Sequence, residues 1–389
     1  MSNKPLDNIR IEISDLDKQL LKLLSNRREL VREVARLKTE HGIQLRDKQR
    51  ENELLSKLIR LGQEENLDSH LILDIFHRII DDSLQVQQAF LQDIATKQKA
   101  GNLRVAHLGE EGAYSYLASD KHFATSGSLI EHHCCNEFKE AIDLVKENQA
   151  DVAVLPIENT TSGGINEVYD LLIECPLSIV GEELLKIEHC LISKPGMKPE
   201  DIDTVIAHPQ AKAQCTKNLK KLGINNFEYT NSTAHALQIV QADKRNNIAA
   251  LAGHETAAMY NLNVLATDLA DQSENFSRFL VLAPEAKVVH SSLPCKTTLM
   301  MATKQKAGAL VDALMVFQQH EINLTKLESR PIIGNPWEEM FYIDLDGNIS
   351  QPNVAEAIDQ LTTMCRFIKV LGSYPSAERK ATKVNSNND

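Results

Sequence analysis

Residues 6 to 40 contain neither proline nor glycine, and apolar side chains recur at Ile9, Ile13, Leu16, Leu20, Leu23, Leu30, Val34 and Leu37. Steps of four and three define a heptad seam, so this stretch is expected to be one long helix laid along another helix. A single position breaks the seam: between Leu23 and Leu30 the apolar site is taken by Arg27. A guanidinium there needs an anion beside it, because an unpaired buried charge costs several kcal/mol. His41-Gly42 ends the helix, and apolar spacing predicts two more, from Asp47 to Leu61 and from Asp68 to Gln92. These elements are too few to cover so long a seam, and pairing with a second copy is the expected completion.

At about 150 residues per domain, 389 residues predict two to three domains. The formal charge of −12 argues against a general nucleic-acid binder. That charge is unevenly spread: residues 1 to 91 hold 15 Lys and Arg against 16 Asp and Glu, and the remainder holds 27 against 38. A small basic patch interrupted by acids suits a dicarboxylate better than a polynucleotide. No apolar run reaches the ~18 residues that a membrane span needs. Seven cysteines without a Cys-x-x-Cys pair argue against a disulfide framework and against a four-thiolate zinc site. The opening Met1-Ser2-Asn3-Lys4-Pro5 has no apolar stretch behind its lysine, so no signal peptide is expected and the location reads as cytoplasmic.

The polar run from Thr96 to Asn102 reads as a linker, after which the pattern changes. Short apolar runs at 103–108, 152–157, 205–207, 248–252 and 279–282 alternate with helical spacing, which predicts an α/β region of mostly parallel strands. From Lys296 the order becomes strand, helix, strand, strand, helix, strand, a small split-βαβ module. The expected organisation is therefore a helical domain over 1–95, a linker over 96–102, an α/β domain over 103–284, a βαββαβ domain over 296–375 and a disordered tail over 376–389.

In the helical part, Arg27 and Lys38 lie on nearly one face, ~16 Å apart along the axis, and can converge on a small anion. Asp47, Arg50 and Glu51 share a face of the second helix, as Ser83 and Gln87 do of the third. Arg10 lies ~25 Å from Arg27 along the first helix, too far to share a small ligand within one chain. A solvated charged face would account for Arg46, Lys48 and Arg50, but not for Arg27 inside the seam. Residues 6 to 92 resemble the all-helical chorismate mutase of bacterial P-proteins at Arg10, Arg27, Lys38, Asp47, Arg50, Glu51, Ser83 and Gln87. The resemblance implies an intertwined dimer in which Arg10 reaches the partner's site. It also implies that Arg10 and Arg27 bind carboxylates, that Lys38 and Gln87 donate to the ether oxygen of chorismate, and that Glu51 takes a hydroxyl. Arg50, Asp47 and Ser83 would support that site.

In the α/β part, ligands are expected beyond the carboxyl ends of strands, where helix N-termini offer free N–H groups. Such junctions occur at Gly109 to Ser115, at Glu158-Asn159-Thr160-Thr161-Ser162-Gly163-Gly164, at His208-Pro209-Gln210 with Gln214 beyond, and at Asn275-Phe276-Ser277-Arg278-Phe279. The first is neither a dinucleotide fingerprint nor a Walker loop. Together and in this order they resemble prephenate dehydratase, which implies two lobes with prephenate in the cleft and no cofactor. On that resemblance Ser277 is the hydroxyl donor, and Asn159, Thr160, Thr161, Ser162, Gln214 and Arg278 contact substrate. Ser277 stands where the family carries threonine, and Ala207 where many members carry serine. His132-His133-Cys134-Cys135 has no second cluster at ligand spacing, so no metal is expected. His189 reads as a packed core residue, and Glu158 as a cap on the neighbouring turn.

The last module contains Gly308-Ala309-Leu310-Val311 and Glu328-Ser329-Arg330-Pro331, which resemble the amino-acid-binding motifs of the ACT domain in P-proteins. The resemblance implies phenylalanine bound at a dimer interface as an inhibitor, with Asn335-Pro336-Trp337 as a neighbouring aromatic loop. The whole chain thus resembles a bifunctional chorismate mutase/prephenate dehydratase acting on chorismate and prephenate, a homodimer or larger. Two rivals remain open: a mutase fused to an arogenate-preferring dehydratase, and a non-catalytic amino-acid-responsive binding protein.

Overall fold

The computed structural model describes residues 4–40, 48–96, 101–126, 128–289, 293–332 and 338–377. Asp47, the Asn335-Pro336-Trp337 stretch and the tail from residue 378 lie outside the described residues. The described residues divide into two compact units, one of residues 4–96 with 288, 289 and 293, and one running from residue 101 to 287 and from 294 to 377.

The first unit is helical. Helix α1 spans Lys4–Glu40, α2 Lys48–Glu64 and α3 Ser69–Thr96, with α3 against both others. Its core is small, built on Ala35, Leu55, Ile72, Val86 and Leu91. The apolar seam is not covered by the described residues: Ile9, Ile13, Leu16, Leu20, Leu23 and Leu30 are 52% to 68% exposed. A contiguous apolar stripe of that length is characteristic of a face that another molecule covers.

The second unit begins with two lobes. In the first, strands Leu129–Cys135, Asn102–Leu108, Val152–Asn159, Phe276–Ala283 and Ser178–Lys186 lie in that order, with Gly163–Gly164 pairing off the third. In the second the order is Asn263–Ala266, His189–Ser193, Ile248–Gly253, Thr204–Ala207 and Asn226–Tyr229. The expectation of mostly parallel strands is corrected here. Pairing is parallel for 102–108 with its two neighbours and for 204–207 with its two, but antiparallel around 276–283 and 189–193. The reason is topological. The chain leaves the first lobe along Ser178–Lys186, which runs with the strands wound by right-handed crossovers, but the strand on which it enters the second lobe, His189–Ser193, and the one on which it returns, Phe276–Ala283, run against them. The two crossings are tied where Ile187 N–H donates to the Asn275 carbonyl at 2.8 Å.

A third sheet, ordered Leu324–Pro331, Glu339–Asp346, Cys295–Ala302 and Phe367–Pro375, is antiparallel and carries helices Ala309–Gln319 and Pro352–Met364. Alternation along its central strand divides two cores: Leu299 and Met301 meet the helices, while Met300 and Ala302 join Leu155, Tyr169 and Leu280 of the first lobe. The two sheets come so close that a Cβ on Gly372 would lie 2.1 Å from the Ile179 carbonyl oxygen.

Candidate active sites

In the helical unit, Arg27 Nη1 donates to the Ile79 carbonyl at 3.3 Å and to the Ser83 hydroxyl, and Ser83 Oγ donates to the same carbonyl at 2.7 Å. Burial lowers the Arg27 pKa from its ordinary value, with Asp82 acting in the opposite sense. Asp82 itself pairs with Arg28, so among the described residues no carboxylate is in ion-pair contact with Arg27. Neutral oxygens hold the guanidinium, and its charge stays available to an anionic ligand. Gln87 lies one turn beyond Ser83, buried, its Nε2 donating to the Ser83 carbonyl at 3.2 Å. Its Oε1 is buried with no partner among the described residues. Lys38 is half-buried in the last turn of α1, and Arg50 and Glu51 occupy the first turn of α2. Arg10 is exposed on the continuous helix α1, roughly 25 Å from Arg27.

Between the two lobes of the second unit is a cavity of about 280 Å³ that contains Asn159, Gln214 and Ser277, with Tyr114, His189 and His208 also in its wall. Asn159 is the centre of its polar network. Its Oδ1 accepts from Thr161 N–H at 3.0 Å, Ser162 N–H at 3.1 Å and Gln214 Nε2 at 3.1 Å, as well as from both hydroxyls of those loop residues. Its Nδ2 donates to Asn275 Oδ1 at 2.7 Å and to Ser277 Oγ at 3.1 Å. Thr161 and Ser162 thus shape Asn159, and neither lines the cavity.

Helices Tyr114–Phe123, Pro209–Gln214 and Thr233–Ala242 open onto the cavity with Ala113 to Ser115, Gln210 and Ala211, and Ser232 and Thr233 in its wall. Ser232 caps the third by accepting from His235 N–H at 2.9 Å, and donates to Glu110 at 2.6 Å. His208 caps the second, its Nδ1 accepting from Gln210 N–H at 3.2 Å with Pro209 in the first turn. Burial lowers the His208 pKa, so the ring is neutral and its Nε2 carries the proton. The described lining contains no lysine or arginine, and positive potential comes from the helix ends. Ala207 is packed in the core of the second lobe, so the absent hydroxyl at that position does not touch the cavity.

Three expectations are corrected. Arg278, expected on the substrate, points the other way, because Ser277 and Phe279 face the cavity and strand alternation turns residue 278 to the opposite side. Its guanidinium is 6% exposed and bonds Glu182 at 2.6 Å, Glu158 at 2.9 Å, Asp344 at 2.5 Å and the Tyr374 hydroxyl at 2.9 Å. Burial alone would lower its pKa, but Tyr374, Glu182 and Asp344 hold it well above the ordinary value. Glu158 is not a turn cap: Lys326 and Arg278 hold its carboxyl below the usual range against the opposing effect of burial. Thr160 does not face the cavity either, its hydroxyl accepting from Phe276 N–H at 2.9 Å and donating to the Glu274 carbonyl at 3.0 Å. His189 is buried as expected, yet it also lines the cavity, between Tyr114 Oη at 3.1 Å and Gln214 Oε1 at 2.9 Å. Tyr114 and Asn275 lie inside two of the junctions at which a ligand is expected, but their residue types do not single them out. Only the fold reveals them as cavity or network residues.

On the C-terminal sheet, Gly308 at φ +82° starts the Ala309–Gln319 helix, a conformation that favours glycine. Gly308, Ala309, Leu310 and Val311 line a cavity of about 360 Å³ with Lys304, Ile332 and Phe341. Glu328, Ser329, Arg330 and Pro331 are not in its wall: they lie on the edge strand, where Arg330 forms a bidentate pair with Asp170. His132 to Cys135 lie on a strand whose side chains alternate, and among the described residues no three His, Cys, Asp or Glu could hold a metal. No described helix is long and apolar enough to cross a membrane.

Residues 105–287 match the prephenate dehydratase family, and residues 9–88 match chorismate mutase type II. The bifunctional chorismate mutase/prephenate dehydratase of Enterobacter agglomerans is 46% identical over 378 residues, covering 96% of this chain and 97% of that one. A crystal structure of prephenate dehydratase in complex with L-Phe, from Arthrobacter aurescens, is similar at TM-score 0.65 and 28% identity, covering 71% of this chain and 90% of that one. A protein described as a novel type of quorum quenching acylase is similar at TM-score 0.63 and 30% identity over 70% of this chain and 98% of its own, so the fold alone does not choose the chemistry. With both families matched in order and the Enterobacter relative aligned along nearly its whole length, the chain belongs to the family of bifunctional chorismate mutase/prephenate dehydratases.

Proposed function

We infer that this chain converts chorismate to prephenate in its helical unit and prephenate to phenylpyruvate in the two-lobed cleft, under feedback control by phenylalanine. The observation that carries the second reaction is the meeting of Ser277 with helix N-termini on one cavity whose described lining has no lysine or arginine. The first reaction is a pericyclic rearrangement and needs no nucleophile. Arg27 and Arg10 bind the carboxylates, Lys38 and Gln87 donate to the ether oxygen, Glu51 takes the hydroxyl, and Ser83, Arg50 and Asp47 support them. The exposed seam of α1 is the reason to place a second copy along it, from which Arg10 completes the site.

In the cleft, the helix N-termini take the carboxylates of prephenate. The bond from the ring to its carboxylate breaks and carbon dioxide leaves. Those electrons enter the ring as the carbon–oxygen bond to the ring hydroxyl breaks, and the departing oxygen takes up a proton and leaves as water. Ser277 donates a hydrogen bond to that oxygen as charge develops, with Asn159 and Gln214 orienting it. Aromatisation supplies the driving force, so no redox cofactor enters.

The C-terminal βαββαβ module is an ACT-type sensor in which Gly308 to Val311 receive phenylalanine. Glu328 to Pro331, on an edge strand whose outer side pairs with no strand among the described residues, come to the same ligand from a second copy. The free state of all seven cysteines suits a cytoplasmic protein. A coupled assay following chorismate through prephenate to phenylpyruvate, with and without phenylalanine, tests the whole reading. Ser277→Ala should abolish phenylpyruvate formation while chorismate consumption persists; retained dehydration would remove Ser277 from the mechanism.

A further inference from the structure

A serine hydroxyl rotates freely unless its partners fix it, and for Ser277 three backbone contacts of the neighbouring Asn159 set the whole arrangement. Asn159 Oδ1 accepts from the N–H groups of Thr161 and Ser162 at 3.0 and 3.1 Å, while Asn159 Nδ2 donates to the Phe276 carbonyl at 3.1 Å. A backbone N–H only donates and a carbonyl only accepts, so this amide has one orientation. Gln214 meets Asn159 Oδ1 at 3.1 Å and must present Nε2 there, which turns its Oε1 to His189 Nε2 at 2.9 Å. His189 therefore carries its proton on Nε2. Burial lowers its pKa, so the ring is neutral and Nδ1 accepts from Tyr114 Oη at 3.1 Å. At the other end, Asn159 Nδ2 donates to Ser277 Oγ at 3.1 Å.

Every donor in this series points the same way, from Tyr114 through His189, Gln214 and Asn159 to Ser277. The Ser277 hydroxyl faces the cavity, and among the described residues it only accepts, so its own proton is left for a ligand. Hydrogen bonds aligned in this manner polarise one another in a buried site. We propose that Tyr114 and His189 are positioning residues for dehydration: acting through Gln214 and Asn159, they fix the tautomer and amide orientations that make Ser277 a one-way donor to the departing ring hydroxyl. This rests on the dehydratase reading of the cleft, with Ser277 as its donor.

Steady-state kinetics of the full chain on prephenate test it. Tyr114→Phe keeps the ring and removes the first donor. His189→Leu removes both nitrogens, whereas His189→Gln restores a donor toward Gln214 and an acceptor toward Tyr114. The expected result is a fall in kcat of about tenfold for Tyr114→Phe and more for His189→Leu, with KM within about twofold and most of kcat recovered in His189→Gln. Undiminished kcat in Tyr114→Phe and His189→Leu, beside an inactive Ser277→Ala, overturns the proposal and spares the role of Ser277. An active Ser277→Ala overturns the reading beneath it. A rise in KM matching the loss of kcat, or no recovery in His189→Gln, reduces both residues to structural support and also overturns the proposal. Should His189→Leu melt early, Tyr114→Phe decides alone.

Discussion

Arg278→Met separates two accounts of this arginine, one as a substrate contact and one as the centre of a buried ion cluster. The cluster contains Arg278, Lys296 and Lys326 against Glu158, Glu182 and Asp344, and the side chains of Arg278, Glu182 and Asp344 are 6%, 0% and 1% exposed. Methionine preserves much of the stem and deletes the charge, leaving Glu182 and Asp344 short of a partner in a water-poor interface. Removing one member of such a set costs about 3–5 kcal/mol, which for a unit of this size lowers Tm by on the order of 10 °C. The assay is thermal unfolding of the full chain without ligand at neutral pH. Adding Asp344→Asn should restore part of the loss, a coupling of about 0.5–3 kcal/mol between residues in direct contact. A Met variant that melts within about 2 °C of the parent while its KM for prephenate rises steeply would refute the cluster account and return Arg278 to the substrate.

Gly372→Ala places a methyl group against the Ile179 carbonyl, so the C-terminal sheet must move off the first lobe. A loss of about 1–3 kcal/mol or more in chemical denaturation, together with altered phenylalanine response, is expected. The His107 pKa is lowered from 6.5 to about 4, first by burial and then by His132. A depressed value means the contribution is complete above about pH 6.5 and is lost as pH falls toward 4, amounting to ~3 kcal/mol at the acid end. Stability measured across that window should fall in the parent and fall less steeply in His107→Gln, where the buried His189 and His208 still contribute. Arg27→Ala should cut chorismate turnover by about 10²–10³-fold with helix content unchanged by circular dichroism.

Period and motif made the helices, the last module and the order of the site loops legible. What they could not give was the side of the strand on which a motif residue would emerge. Ser277 and Arg278 are neighbours in one motif, as are Glu158 and Asn159, and the two pairs stand in register across one ladder. Alternation sends Ser277 and Asn159 to the cleft and Arg278 and Glu158 to the interface with the C-terminal sheet. A motif read as a single binding string thus serves two faces. The same limit hid Tyr114 and His189, which come from lobes 75 residues apart in sequence and meet only because two strands cross between them. The division has a physical consequence for control. Under the proposed phenylalanine control, a ligand that shifted the C-terminal sheet would act on Asp344, Lys326 and Tyr374, whose partners Arg278 and Glu158 are one peptide unit from Ser277 and Asn159.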